Sequence, residues 1–159
     1  MSEVAVVFPL EEMQVGDTYV LNDIPLHLTV LSNARLHSPA SQFVNEVRRV
    51  AMGCPPFSAG ALDFEMFGPN ANIPVTEVTV VPQLRRLHDE LCEAVRGLGG
   101  EAVEPDYWGA GYRAHVTKTQ RGISVAPGDE VRLDRLALID CTEPVRKVVW
   151  VEPLDSAVG

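Results

Sequence analysis

The stretch His27-Leu28-Thr29 recurs almost unchanged as His115-Val116-Thr117, and this repeat decides the expected fold and function. Each copy is a His, one apolar residue and a Thr (HxT), set in a run of mostly apolar residues. In an extended strand, residues two apart point to the same face of the sheet. Each copy therefore predicts a strand that presents one imidazole and one hydroxyl side by side.

Two such pairs facing each other would supply the groups that phosphodiester cleavage needs. Histidine titrates near pH 6.5, so a neutral and a protonated imidazole can coexist near neutrality. One of His27 and His115 would activate water and the other would protonate the leaving oxygen, each contributing about 10²–10⁴-fold in rate. Thr29 and Thr117 would donate hydrogen bonds to the phosphate oxygens. The sequence leaves open which histidine is the base. It predicts no metal ion and no cofactor.

One HxT string alone would carry little weight. A single histidine on an apolar strand is usually a buried side chain bonded to a backbone carbonyl, and a strand threonine is common because of its β-propensity. Two copies in strand-like surroundings arise by chance on the order of once in a hundred such chains. The pair is therefore interpreted as catalytic. His37 and His88 are instead expected to be solvated surface residues.

Length and composition indicate the number of domains and the cellular compartment of the chain. Its 159 residues predict one domain. The first residues lack the basic start of a signal peptide, and no apolar run approaches the ~20 residues that span a bilayer. Cys54, Cys92 and Cys141 are scattered and odd in number, which predicts buried, reduced thiols. We therefore expect a cytoplasmic, monomeric protein that does not bind a membrane.

The net charge of −9 argues against binding to a long nucleic acid, because phosphate neutralisation by a basic face supplies most of that affinity. A small nucleotide or a short RNA or oligonucleotide is the expected partner, and duplex nucleic acid is not. Arg113 is the candidate phosphate ligand, because it lies two residues before His115 and so on the same strand face. Lys118 should point to the opposite face from Thr117.

Three aromatic residues precede the second motif. Tyr107, Trp108 and Tyr112 are candidate substrate-binding residues, because an aromatic ring at the mouth of a cleft can stack on a nucleobase for about 1–3 kcal/mol. The alternative is that they cover the core beneath a glycine-rich loop. Gly109 and Gly111 within that loop suit a flexible lid.

Hydrophobic periodicity and turn residues predict seven strands and two helices. This balance favours the α+β class over a doubly wound parallel sheet. The strands are predicted over Val4–Phe8, Leu26–Leu31, Phe57–Phe67, Val75–Val81, Arg113–Thr119, Val131–Ile139 and Val145–Val151. The helices are predicted from Ser38-Pro39, with Ser38 as N-cap, to Gly53, and from Pro82 through Leu98 to Gly99-Gly100.

The chain resembles the two-histidine (2H) phosphoesterase superfamily, in its LigT-like, "2'-5' RNA ligase" branch. The resemblance covers nearly the whole chain and rests on Pro25-Leu26-His27-Leu28-Thr29-Val30, on the second helix and on Tyr112-Arg113-Ala114-His115-Val116-Thr117. It implies one domain over residues 1–159, made of two pseudo-symmetric lobes of antiparallel sheet with outer helices and a cleft between them. It also implies that His27 and His115 are the catalytic pair and that Thr29 and Thr117 hold the phosphate.

Several functions stay open within and beside this resemblance. The phosphodiester could belong to a 2',3'-cyclic phosphate, to a 2'-5' linked oligonucleotide, or to a cyclic oligonucleotide signal of the kind that phage relatives destroy. A nucleotide-binding module that has lost turnover is the main alternative, although both HxT strings are intact. ATP-dependent ligation would need a P-loop or a nucleotidyl-lysine signature, and neither is present.

Overall fold

Ten strands and two α-helices form the fold in a computed structural model, which describes residues 1–154. The α+β class is confirmed. The strands are β1 (Ser2–Pro9), β2 (Thr18–Tyr19), β3 (His27–Leu36), β4 (Phe57–Phe67), β5 (Ile73–Val78), β6 (Glu101–Ala102), β7 (His115–Thr117), β8 (Glu130–Leu133), β9 (Arg135–Asp140) and β10 (Arg146–Pro153). The helices are α1 (Val44–Ala51) and α2 (Pro82–Gly97).

The strands pair in the order β2-β10-β9-β1-β3-β7-β5-β4-β8, and β6 also pairs with β3. Every pairing is antiparallel. The two motif strands, β3 and β7, are neighbours near the middle of this order. They therefore join one half of the sheet, which contains β1, β9, β10 and β2, to the other half, which contains β5, β4 and β8.

The two faces of β1 enter different apolar clusters because its side chains alternate. Val4, Val6 and Phe8 belong to the main core, together with buried residues of both helices. Ala5 and Val7 belong to a smaller cluster on the other face. That cluster includes Met13 from the segment after β1 and Ala137, Ile139, Cys141 and Val148. The motif side chains lie on this second face, since Thr29 is the β3 partner of Val7.

Helix α2 follows the sequence prediction at both ends. Proline occupies its first turn, where a missing N–H costs nothing. At the other end Gly99 has a φ of +75° and donates to the Arg96 carbonyl, while Gly100 donates to the Val95 carbonyl. The apolar face predicted for this helix by Leu84, Leu87, Leu91, Val95 and Leu98 is buried except at Leu98, which lies at the C-cap and is 46% exposed.

Several predicted boundaries are wrong. The first motif strand ends at Leu36 instead of Leu31, and the strand predicted over Val75–Val81 is Ile73–Val78. Ser38 does not cap the first helix: a 3₁₀ turn, Ala40–Phe43, precedes α1, and the Ser38 carbonyl accepts from the Ser2 hydroxyl at 2.6 Å. The predicted strand 131–139 is two strands, because the chain changes partner at Asp134 from β4 to β1 and β10. The second motif strand is only three residues long, instead of the seven of 113–119.

The three cysteines are buried and free of disulfide bonds, as predicted. No helix in the described residues is long and apolar enough to cross a membrane.

Candidate active site

The two HxT motifs lie on adjacent antiparallel strands, with Leu28 directly opposite Val116. In both motifs the middle residue is buried, and the histidine and threonine are partly exposed. Continuing the antiparallel register places Thr117 opposite His27, and His115 opposite Thr29. The four side chains therefore form one patch on one face of the sheet, with the two imidazoles on its diagonal.

Each motif histidine makes the same backbone hydrogen bond. His27 Nδ1 lies 2.7 Å from the carbonyl oxygen of Pro25, and His115 Nδ1 lies 2.9 Å from that of Arg113. Both carbonyls belong to the residue two positions upstream. A carbonyl oxygen only accepts, so Nδ1 carries the proton in both rings. In the neutral imidazole, Nε2 then holds the lone pair and is the atom that can exchange a proton with a substrate.

Burial lowers the pKa of both motif histidines below the usual value for imidazole, and the backbone carbonyls only partly oppose this. The charge of His115 lowers the pKa of His27 further, which shows that the two rings are within electrostatic reach. Burial therefore favours the neutral form of both imidazoles in the free protein. A phosphodiester anion bound between them would favour the protonated form of one ring.

Charged and aromatic side chains surround His115. The rings of Phe67 and His115 are inclined at 60° with centroids 4.8 Å apart, and the Arg113 guanidinium lies 4.5 Å from the centroid of Phe67. Arg113 donates to both carboxylate oxygens of Glu77, at 2.9 and 2.8 Å, and these bonds hold the pKa of Glu77 below its usual range. Arg113 thus lies on the motif face, as predicted. It is already paired, although a guanidinium has five N–H donors and others remain for a phosphate.

A carboxylate supports the start of the first motif strand. One oxygen of Glu11 accepts from the Leu26 amide at 2.8 Å, and both oxygens accept from Arg121 at 2.9 Å. The Leu26 amide, and then Arg121, lower the pKa of Glu11. This bridge connects the segment after β1 to the loop after β7, and so joins the two halves of the sheet beside the site. Its partners are far apart in sequence, so no motif could have revealed it.

The predicted substrate-binding aromatics occupy two different settings. Trp108 and Tyr112 are buried and bond to the first motif strand: Trp108 Nε1 donates to the Ser32 hydroxyl at 2.9 Å and Tyr112 donates to the Thr29 carbonyl at 2.8 Å. Their placement corresponds to the alternative of covering the core. Tyr107 is 49% exposed, and its stacking on a nucleobase stays a prediction.

The surface position expected for His88 is wrong. His88 is fully buried, and its ring stacks on Tyr112 with centroids 4.0 Å apart. The buried position of His88 was predictable from helical spacing, because His88 lies four residues from both Leu84 and Cys92 on the buried side of α2. Gly109, in the loop expected to form a lid, is bonded to the same helix: its amide donates to His88 Nε2 and its carbonyl accepts from Arg85. The lid stays a prediction.

Two further polar residues lie where the sequence predicted. His37 is exposed. Lys118 lies on the face opposite Thr117, in a groove of about 510 Å³ that is also lined by Phe64, Met66 and Pro74. In the part of the chain that the structure describes, no three His, Cys, Asp or Glu side chains come together as metal ligands.

Comparison with known families decides the identity of the chain. The model of the 2'-5' RNA ligase superfamily matches residues 3–155. The chain belongs to the 2'-5' RNA ligase superfamily. This result confirms the resemblance to LigT-like 2H phosphoesterases and places the chain among phosphoesterases. A search of curated protein sequences gave no match.

Solved structures show the fold of this superfamily member. TT0787 of Thermus thermophilus superposes with a TM-score of 0.60 at 18% identity, over 100% of both chains. E. coli LigT complexed with 3'-AMP gives a TM-score of 0.59 at 12% identity, over 96% of this chain and 98% of LigT. A crystal structure of a phosphoesterase gives 0.56 at 13% identity, over 96% and 98%.

Proposed function

We propose that this superfamily member hydrolyses a phosphodiester bond of a small nucleotide or short oligonucleotide, using two histidines and no metal ion. One observation carries the proposal: both HxT motifs present their side chains on the same sheet face, each with the histidine Nδ1 bonded to a carbonyl. The candidate substrates are 2',3'-cyclic phosphates, 2'-5' linked oligonucleotides and cyclic oligonucleotide signals.

The proposed reaction follows from the protonation of the two rings. With the phosphate between them, Nε2 of one neutral histidine takes a proton from water while the water oxygen attacks phosphorus. Nε2 of the other, protonated histidine gives its proton to the leaving oxygen as the P–O bond breaks. The hydroxyls of Thr29 and Thr117 donate to the non-bridging oxygens, where negative charge builds up. Proton exchange with solvent then restores both rings.

Three further observations support a small substrate. E. coli LigT, which shares the fold, has been crystallised with 3'-AMP, with NADP+ and with ATP. The net charge of −9 disfavours a long polyanion. In addition, the two arginines beside the motifs, Arg113 and Arg121, are each paired with a glutamate, so little unpaired positive charge is offered around the patch.

The test is a hydrolysis screen in the presence of EDTA. The substrates are 2',3'-cyclic mononucleotides, 2'-5' oligoadenylate, and cyclic di- and trinucleotides, and chromatography identifies which ester bond breaks. We expect one substrate class to be hydrolysed at a rate that EDTA leaves unchanged. The matched variants are His115→Ala, which should lose nearly all activity, and His37→Ala, which changes an exposed histidine and should be fully active.

Two results would contradict the proposal in different ways. Activity that EDTA removes and a divalent ion restores would show that the mechanism requires a metal. Binding of nucleotides without hydrolysis of any substrate in the panel would identify a nucleotide-binding module instead of an enzyme.

A further inference from the structure

A β-bulge follows the first motif directly. In the pairing of β1 with β3, Val7 lies opposite Thr29 and Val6 lies opposite Leu31, so Val30 has no partner on β1. Bulges bend a strand and change the direction of nearby side chains, and they are frequent beside active sites. The orientation of the HxT side chains on β3 therefore depends on how this bulge is held.

Two buried side chains bond the backbone at this bulge. His88 Nδ1 donates to the Val30 carbonyl at 2.8 Å, and the Tyr112 hydroxyl donates to the Thr29 carbonyl at 2.8 Å. On this side of β3, pairing with β7 is recorded at Leu28 and pairing with β6 begins at Ala34. Side-chain donors thus bond two consecutive carbonyls of β3, between the residues that pair with β7 and those that pair with β6.

The same two residues also hold the segment that leads to the second motif. Their rings stack with centroids 4.0 Å apart and planes 9° apart. His88 Nε2 accepts from the Gly109 amide at 2.9 Å, and Tyr112 itself lies three residues before His115. The stacked pair therefore contacts the backbone of the first motif strand and the approach to the second at the same time.

Only a neutral His88 satisfies this arrangement, because one ring nitrogen donates and the other accepts. Burial lowers the pKa of His88, which is consistent with the neutral form. The neighbouring groups are the Cys92 thiol at 3.5 Å, the Tyr112 ring, and the charges of Arg85, Arg96 and Asp89. Both ring nitrogens of His88 thus take part in hydrogen bonds within the protein, so His88 does not exchange protons with a substrate.

We propose that His88 and Tyr112 are positioning residues that set the geometry of the two HxT motifs relative to each other. This rests on the proposed function of the same site. By bonding the carbonyls of Thr29 and Val30, the pair fixes the peptide planes beside the Thr29 side chain. By holding Gly109 and stacking beneath the approach to β7, it fixes the start of the second motif strand. A displacement of about 1 Å at reacting groups can cost about 10²-fold in rate.

The kinetic test uses Tyr112→Phe, which removes the hydroxyl bond to Thr29 and keeps the stacked ring. The matched control is Tyr19→Phe, because the Tyr19 hydroxyl donates to Asp17 at 2.9 Å on edge strand β2, outside the site. We expect Tyr112→Phe to lower kcat by about tenfold or more, with KM within about twofold of the wild type. Tyr19→Phe should leave both constants within about twofold.

A second measurement does not depend on turnover. Proton NMR titration follows the imidazole signals of His27 and His115 in the free protein. Tyr112→Phe and His88→Asn should shift the titration of both rings, and Tyr19→Phe should shift neither. In His88→Asn, the amide nitrogen replaces Nδ1 as the donor to Val30, but nothing accepts from Gly109.

The outcomes separate this proposal from the proposed hydrolysis. An active wild type whose kcat and histidine titrations are unchanged by Tyr112→Phe and His88→Asn would overturn the positioning role and leave the hydrolase intact. A wild type that hydrolyses nothing, but whose histidine titrations shift in the two variants and not in Tyr19→Phe, would overturn the hydrolase and support the positioning role.

Discussion

The two motif strands present the same chemistry from different surroundings. β3 is ten residues long and lies between β1 and β7, whereas β7 is three residues long and lies between β3 and β5. Even so, His27 and His115 each bond the carbonyl two residues upstream. The HxT strand itself therefore determines the direction of the ring, and strand length does not.

The electrostatic surroundings of the two rings do differ. For His27, the charge that acts on its pKa is that of His115. For His115, Arg113 lowers the pKa and Glu77 raises it. These two residues lie on different strands and are absent from the repeated motif. The two motifs are thus equivalent in the hydrogen bonds of their histidines, and they differ in the charges that act on the pKa of each histidine.

The largest expected effect comes from removing either imidazole. His27→Ala and His115→Ala should each lower kcat by about 10²–10⁴-fold, which is the contribution of one positioned proton donor or acceptor. The double variant should be little worse than either single variant, since the two groups act in one step. Steady-state kinetics of the three proteins on the same substrate measures this.

The control for this prediction must be chosen from the structure. His37→Ala is suitable because His37 is exposed, whereas His88→Ala is not, because His88 is buried and bonds β3. Multiplicative losses in the double variant would show that the two histidines act in separate steps.

Local patterns predicted most of the fold. Strand β4 was predicted with its observed bounds, and α2 with its start at Pro82 and its stop at Gly99-Gly100. The elements that were missed or misplaced depend on distant partners. The two-residue strands β2 and β6 exist only through pairing with β10 and β3. The break at Asp134 reflects the change of sheet partner, and no local pattern contains that information.

The candidate site likewise contains residues that a local motif predicts and residues that only tertiary contacts bring there. The HxT spacing placed His27 beside Thr29 and His115 beside Thr117. That both pairs share one face of adjacent strands comes from the pairing of β3 with β7. The residues that surround them come from elsewhere in the chain, as Glu11 and Glu77 do through ion pairs with arginines 110 and 36 residues away. The buried setting of Trp108 and Tyr112 also depends on tertiary contacts. Only His88 was predictable in retrospect, from its spacing on α2.

Removing a threonine hydroxyl should have an intermediate effect. Thr29→Ala and Thr117→Ala each delete one donor to the charge that develops on phosphate, a loss worth at most about 2.7–4 kcal/mol, or about 10²–10³-fold in kcat. The geometric equivalence of the motifs predicts similar losses at the two positions. Thr29→Ser and Thr117→Ser keep the hydroxyl and are the controls. A loss confined to one strand would show that only that motif contacts the phosphate.

The smallest effect concerns the electrostatic difference between the motifs. Burial lowers the pKa of both histidines, so kcat/KM should follow a bell in pH with its maximum below about 6.5. The base must be neutral, so its protonation sets the acidic limb. The acid must be protonated, so its deprotonation sets the basic limb. Both limbs belong to the coupled pair.

Glu77→Gln should shift one limb of this bell more than the other. The carboxylate of Glu77 raises the pKa of His115, whereas Arg113 lowers it, so removing only the negative charge lowers that pKa further. The limb that moves further to lower pH is the one to which His115 contributes more. The effect on kcat/KM at fixed pH should be below about tenfold, because ion pairs with an exposed member contribute about 0–1 kcal/mol.

Glu152→Gln, which removes the carboxylate paired with Arg48, is the control and should move neither limb. Equal shifts of both limbs in Glu77→Gln would show that the charges beside β7 act on the two histidines alike, and the electrostatic distinction between the motifs would then be wrong.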